Sequence, residues 1–147
     1  MSKAKTIVQE WDALPLLVHP DHPKLYQKQF VLPREADAMH VALHAVLFER
    51  LGQEGAVLPH DHDCCEIICI TKGAVEAYYQ GGWHPHKAGD TLLIPAGEIH
   101  SVYNPWQEES EQVSIFLPAD APAGNRMFGT RILSGIPLPQ PKEERTA

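Results

Sequence analysis

Four residues of this chain have the types and spacing to hold a metal ion: His60, His62, Glu66 and His100. The residues around His60 are largely apolar or β-branched and are punctuated by glycine and proline, a pattern of short strands and turns. On a strand, His60 and His62 share a face and lie about 6–7 Å apart. Both imidazoles can then reach one ion through bonds of about 2.0–2.1 Å. Glu66 has the same parity, but on one straight strand it would sit about 13 Å beyond His62. For Glu66 to share the ion, the chain must turn through Asp63, Cys64 and Cys65 and return beside the first strand, and His100 must arrive from a later strand pairing nearby. Three neutral imidazoles and one carboxylate suit a divalent transition metal, whereas calcium and magnesium prefer oxygen. Iron, manganese, nickel, zinc, cobalt and copper all accept such a set, so it does not choose among them.

The elements that must position these side chains carry their own punctuation. The first stretch runs from Gly55 through His60, His62 and Glu66 to Gly73, and the second from Gly89 through Pro95, Gly97 and His100 to Asn104. These resemble the two signature motifs of the cupin superfamily: His-x-His, Glu and Gly in the first; Gly, Pro-x-Gly, His and Asn in the second. One departure is that four residues separate Gly55 from His60 where the family usually has five. The motifs span about a third of the chain. The resemblance implies an all-β, single-domain cupin, a double-stranded β-helix or jelly-roll barrel. It also implies one divalent transition metal per chain on His60, His62, Glu66 and His100, and a homodimer joined through sheet edges. The strand pattern agrees: about eight to ten short strands with turn signals and no convincing helix indicate a small β-barrel or sandwich.

Within the 147 residues, the expected organisation is an N-terminal arm over residues 1–38, a barrel core over 39–118 and a partly mobile C-terminal extension over 119–147. Residues 6–11 are compatible with a short strand. Prolines at 15, 20, 23 and 33 exclude a long helix over residues 14–33. His19 and His22, in this proline-rich stretch, read as surface residues. Residues 39–51 read as one or two strands. Alternation puts His44 and Arg50 on one face, and Leu47 and Glu49 on the other. If the first face looks inward, His44 and Arg50 enter the pocket, and Arg50 holds a substrate carboxylate; a rim ion pair is the competing role for Arg50. Tyr78 and Tyr79 take opposite faces of a hairpin strand turned by Gly81-Gly82, and Tyr78 is a further pocket candidate. Arg50, His44 and Tyr78 are thus the catalytic candidates. Further strands are expected over 67–71, 91–94, 112–117 and 127–133.

His84-Pro85-His86 is a second His-x-His. It follows a Gly-Gly turn, no carboxylate follows at an obvious ligand spacing, and Pro85 fits an edge strand. It therefore reads as solvated hairpin. Cys64 and Cys65 are adjacent, too close across a trans peptide for an ordinary disulfide, and Cys69 is left over. Free thiols and a cytoplasmic protein are expected. The net charge of −7 argues against a nucleic-acid partner, which would want a basic patch. No apolar run reaches the length of a membrane span, so no membrane partner is expected.

Three classes of function remain. One is a metal-dependent enzyme acting on a small organic acid, sugar or diketone, of dioxygenase, isomerase, decarboxylase or lyase type. The second is a non-catalytic small-molecule module resembling the sugar-sensing domain of arabinose-type regulators. The third is a barrel whose ion is structural, as in seed-storage-like cupins. The complete ligand set favours the enzyme over the other two. For the first two classes the partner is a small molecule.

Overall fold

The computed structural model describes residues 3–119 and 131–143. Among the described residues eleven strands dominate: β1 (Leu17–Val18), β2 (Leu25–Val31), β3 (Ala45–Leu51), β4 (Ala56–Asp61), β5 (Cys65–Lys72), β6 (Ala74–Tyr79), β7 (Gly82–Lys87), β8 (Thr91–Ile94), β9 (His100–Tyr103), β10 (Ser110–Leu117) and β11 (Arg131–Ile132). They form two antiparallel sheets with orders β1-β2-β3-β10-β5-β8 and β11-β4-β9-β6-β7. This is the expected all-β jelly roll. Because successive side chains alternate faces, each sheet turns one apolar face to the other.

A cluster that includes Leu25, Leu51, Ile68, Ile70, Val75, Leu92 and Val102 fills one part of the space between the sheets. Each large aliphatic side chain buried there is worth about 1.5–3 kcal/mol. A smaller cluster of Ala45, Leu47, Cys64 and Phe116 flanks the candidate metal group. The fold therefore has an apolar core of its own, separate from its chemistry.

Residues 1–38 are not uniformly an arm. β2 pairs with β3 along nearly its whole length, and its Leu25 is fully buried. The polar run Tyr26-Gln27-Lys28-Gln29 hides this strand from a reading based on apolar alternation. Residues 6–10 are not a strand, and Trp11–Ala13 form a short 3₁₀ turn. Trp11 packs edge-on against Phe48, with Phe30 beside it, so it covers the outer face of β2 and β3. Lys28 reaches across the Trp11 ring to donate to its carbonyl at 2.6 Å.

A short helix, α1 (Pro33–Ala38), links β2 to β3. Pro33 suits a first helical turn, where its missing N–H would be unpaired in any case. The Glu35 carboxylate accepts the Leu32 N–H at 3.1 Å. At six residues, α1 is too short to show helical periodicity.

The hairpin between β6 and β7 turns at Gln80-Gly81, one residue earlier than expected, since Tyr79 faces Gly82. Both turn residues have positive φ (51° and 81°), as a two-residue type I′ turn requires. Asn104 is fully buried: its amide donates to the Leu51 and Glu108 carbonyls, and its oxygen accepts the Trp106 N–H. It is a structural clamp. Of the strand expected over 127–133, residues 131–132 form β11; residues 127–130 lie outside the described residues, as does 144–147 of the tail.

Candidate metal centre

His60, His62, Glu66 and His100 come together, with one ligand-type atom from each lying within 4.8 Å of the others, and all four are buried. His60 on β4 and His100 on β9 are directly paired in one sheet. Glu66 comes from β5 in the opposite sheet, so the chain crosses the barrel after His62 and does not return beside β4 as expected. His62 lies in this crossing. The Gly97 N–H binds its carbonyl at 2.9 Å, and Gly97 has φ +83°, a conformation that favours glycine. The two motifs are thus tied by backbone as well as by side chains.

A bulge prepares the site. The β4–β9 register shifts between Val57 and His60, so Leu58 and Pro59 leave the ladder with β9. The freed Leu58 carbonyl accepts Nδ1–H of His60 at 2.7 Å. The Cys64 carbonyl does the same for His62 at 2.9 Å, and the Glu98 carbonyl for His100 at 2.8 Å. Each bond puts the ring proton on Nδ1 and leaves Nε2 as a lone pair.

The Nε2 atoms of His62 and His100 each lie 3.0 Å from Oε1 of Glu66. Lone pairs facing a carboxylate oxygen repel one another unless positive charge lies between them. Protons or a cation can supply it. Ligand atoms about 2.1 Å from one ion and at right angles to each other stand about 3.0 Å apart, so the spacing suits a metal.

Without an ion, protons serve. Burial disfavours a charged His62, but Cys64 and Glu66 more than reverse this and push its pKa up to about 10. Burial would raise Glu66, yet hydrogen bonds from His100 and His62 hold it well below the usual carboxylate range. His60 is pushed down to about 3 by burial and by His100.

The site opens into a cavity of about 300 Å³ lined by the ligand-type residues His60, His62 and Glu66 together with Leu47, Glu49, Gln27, Val57, Phe116, His19, Asp21, His22 and Ile132. Glu49 was not among the sequence candidates. It is 4% exposed and accepts from Ser114 Oγ at 2.7 Å, Gln27 Nε2 at 3.1 Å and Gln112 Nε2 at 3.3 Å. Burial and the charge of Glu66 raise its pKa. The inward face of β3 carries Ala45, Leu47, Glu49 and Leu51. Parity alone cannot choose a face when the outer one is covered by Trp11 and is also apolar.

The catalytic candidates accordingly lie elsewhere. Arg50 is on the outer face of β3 and donates to Glu111 at 2.9 Å, the rim ion pair that was its competing role. His44 precedes β3 and its Nε2 is buried without a hydrogen-bond partner among the described residues. Tyr78 packs edge-on against Trp83, while Tyr79 shares the inward side of β6 with Val75 and Ala77. None of Arg50, His44 and Tyr78 lines this cavity.

His22 corrects the sequence reading in the other direction: it is 9% exposed, lines the cavity and stands 5.9 Å from His60, ring centre to ring centre. Its neighbours in sequence carry no signal for this, because β2 was not recognised. His84 and His86 sit on β7, an edge strand. His86 does have a carboxylate partner, Asp90 at 3.0 Å, and its other nitrogen meets Tyr79 Oη at 2.8 Å; His84 stacks on Tyr79. All three cysteines are free, and Cys64 Sγ lies 3.6 Å from Nδ1 of His62, outside the four-residue group. Among the described residues no helix is long and apolar enough to cross a membrane.

The fold and the site define a cupin. The family model of the AraC-like ligand binding domain matches residues 43–117, and the chain belongs to that family. Among solved structures it is similar to a cupin-superfamily sugar phosphate isomerase from Silicibacter pomeroyi (TM-score 0.65, 18% identity, covering 90% of this chain and 97% of that one). It is similar also to a cupin-2 domain protein from Rhodospirillum rubrum (TM-score 0.64, 13% identity, 80% and 78% covered). A third is a predicted oxalate decarboxylase from Thermotoga maritima (TM-score 0.62, 20% identity, 76% and 98% covered). At these identities the likeness concerns the fold. No curated protein matches the sequence.

Proposed function

We propose that this protein is a divalent-metal-dependent enzyme acting on a small organic acid, sugar or diketone in the cavity beside His60. The observation that carries this reading is the set of three carbonyls, from Leu58, Cys64 and Glu98, that turn imidazole lone pairs towards Glu66. The apolar cluster gives the barrel a core that does not include this set.

His60, His62, His100 and Glu66 hold the ion, and when bound it supplies Lewis-acid chemistry, polarising a carbonyl or acidifying a water. The chain's own residues do the rest. Leu47, Val57 and Phe116 give the substrate an apolar wall and limit water. Glu49, buried and inclined to keep its proton, is the group in the wall suited to proton transfer with a bound substrate. Gln27, Gln112 and Ser114 fix its carboxyl group. Similar structures described as a sugar phosphate isomerase and a predicted oxalate decarboxylase support small oxygen-rich substrates of the isomerase and decarboxylase types.

A second reading is favoured by the family itself. An AraC-like ligand binding domain points to a module that binds its small molecule without converting it. Elemental analysis of protein purified without a metal-affinity tag, beside His62→Ala, tests the centre. About one transition metal per chain, lost in the variant, supports it; a parent protein without metal overturns it. Oxygen uptake and NMR on a panel of sugars, organic acids and diketones then separate the readings. Chemical change supports the enzyme, and compounds that raise Tm unchanged support the sensor. The same proposal includes a homodimer joined at a sheet edge, where Leu93 on β8 is 73% exposed. Sedimentation of wild type against Leu93→Lys tests it.

A further inference from the structure

The residues from His19 to His22, expected to lie on the surface, form one end of a row of imidazoles that runs into the cavity. Ring centres are 4.5 Å apart from His19 to His22, 5.9 Å from His22 to His60 and 4.3 Å from His60 to His100. The outer two rings are hydrogen-bonded in the opposite sense to the inner ones. Nδ1 of His22 accepts the Leu58 N–H at 3.0 Å, and Nδ1 of His19 accepts the Asp21 N–H at 3.1 Å. A nitrogen that accepts a backbone N–H carries no proton, so the ring proton is on Nε2. Both rings are therefore neutral donors at Nε2, with no hydrogen-bond partner there among the described residues. Nε2 is thereby disqualified as a metal ligand, since its lone pair is used by the N–H bond.

We propose that His22, supported by His19, is a second ligand-binding point: their Nε2–H groups donate to hydroxyl or carbonyl oxygens of a small, uncharged polyhydroxylated carbonyl compound whose other end lies at the His60–His62–Glu66–His100 centre. This rests on the reading of that centre given above and narrows its substrate class. The charge of the wall agrees. Asp21 and Glu66 line the same cavity as His22, and among the described residues no lysine or arginine does. An oxygen acceptor without charge is matched by two N–H donors, whereas a second carboxylate would face acids. Phe116 and Ile132 offer apolar surface to the carbon skeleton. The 5.9 Å between His22 and His60 places both anchoring points within reach of one short molecule.

Two substitutions separate the two ring nitrogens. In His22→Asn the amide oxygen replaces Nδ1, keeps the Leu58 bond and removes the Nε2 donor. In His22→Gln the amide nitrogen restores a donor near Nε2. Manganese-loaded protein is titrated calorimetrically with erythrulose and with 1-hydroxybutan-2-one, which share four carbons and the hydroxy-ketone head but differ in the two distal hydroxyls. Wild type is expected to bind erythrulose about five-fold more tightly, the scale of one net hydrogen bond. His22→Asn is expected to bring the ratio near one at unchanged metal content, and His22→Gln to keep most of the preference. A wild-type ratio near one, an undiminished ratio in His22→Asn, or no binding of either compound overturns the inference. Metal stoichiometry is measured on the same samples, so an intact centre is seen separately: full loading without a preference removes the second binding point and leaves the metal centre standing.

Discussion

The cavity holds two sets of histidines that meet at one residue, Leu58, and are prepared for opposite tasks. Leu58 gives its carbonyl to Nδ1–H of His60 and its N–H to Nδ1 of His22. The first contact leaves His60 with a lone pair at Nε2, the second leaves His22 with a proton there. The same side chain thus becomes a ligand or a donor according to which backbone group it meets, and both groups are free because a bulge has taken Leu58 out of the ladder with β9. Histidine content alone therefore predicts little about a metal site; the direction of the Nδ1 hydrogen bond decides it.

The comparison is broken most directly by removing ligands. His62→Ala or His100→Ala should lower metal affinity by at least about 100-fold, more than the loss of a supporting hydrogen bond, and leave a cooperatively folding barrel. Elemental analysis and circular dichroism check both parts. His22→Asn should leave metal content unchanged, and a variant that loses its metal would merge the two sets into one.

The next effect is on pH dependence. In metal-free protein the pKa of His62 is about 10 against an ordinary value of 6.5. The folded state then holds more protons than the unfolded state between these values, so stability is full below pH 6.5 and falls as pH rises towards 10. Glu49, also raised, acts in the same direction at lower pH, above its ordinary value. Thermal melts of metal-free protein should show Tm declining over the alkaline range, and His62→Gln should flatten the slope. Metal should abolish it, releasing protons on binding.

The smallest effect concerns the outer pair. Changing His84 and His86 together to alanine should leave metal stoichiometry at the inner site intact. It should cost about 1 kcal/mol through loss of the Tyr79–His86–Asp90 bonds, read from urea unfolding.

Much of this was legible beforehand. His60, His62, Glu66 and His100, with Gly97 and Asn104, stand at spacings that name both the fold and the ligand group. Thr91–Ile94 and the long run ending at Leu117 also show as strands. The polar β2, the six-residue α1 and the bulge at Leu58 carry no local signature. They arise because β3 needs a partner on its open edge and because Pro59 has no N–H for the ladder. Glu49 and His22 were missed for the same reason: each is placed by a strand pairing, not by its neighbours in sequence.

The amino-acid sequence by itself determined the ligand types, the turn positions and the alternating strands, because these depend on covalent spacing and on glycine and proline conformations. Only the tertiary structure decided which face of β3 looks inward, that Arg50 pairs with Glu111 and that Glu49 enters the cavity. It also decided which histidine nitrogen carries the proton, since a neutral imidazole takes its tautomer from the backbone group it meets, and folding alone brings that group to it.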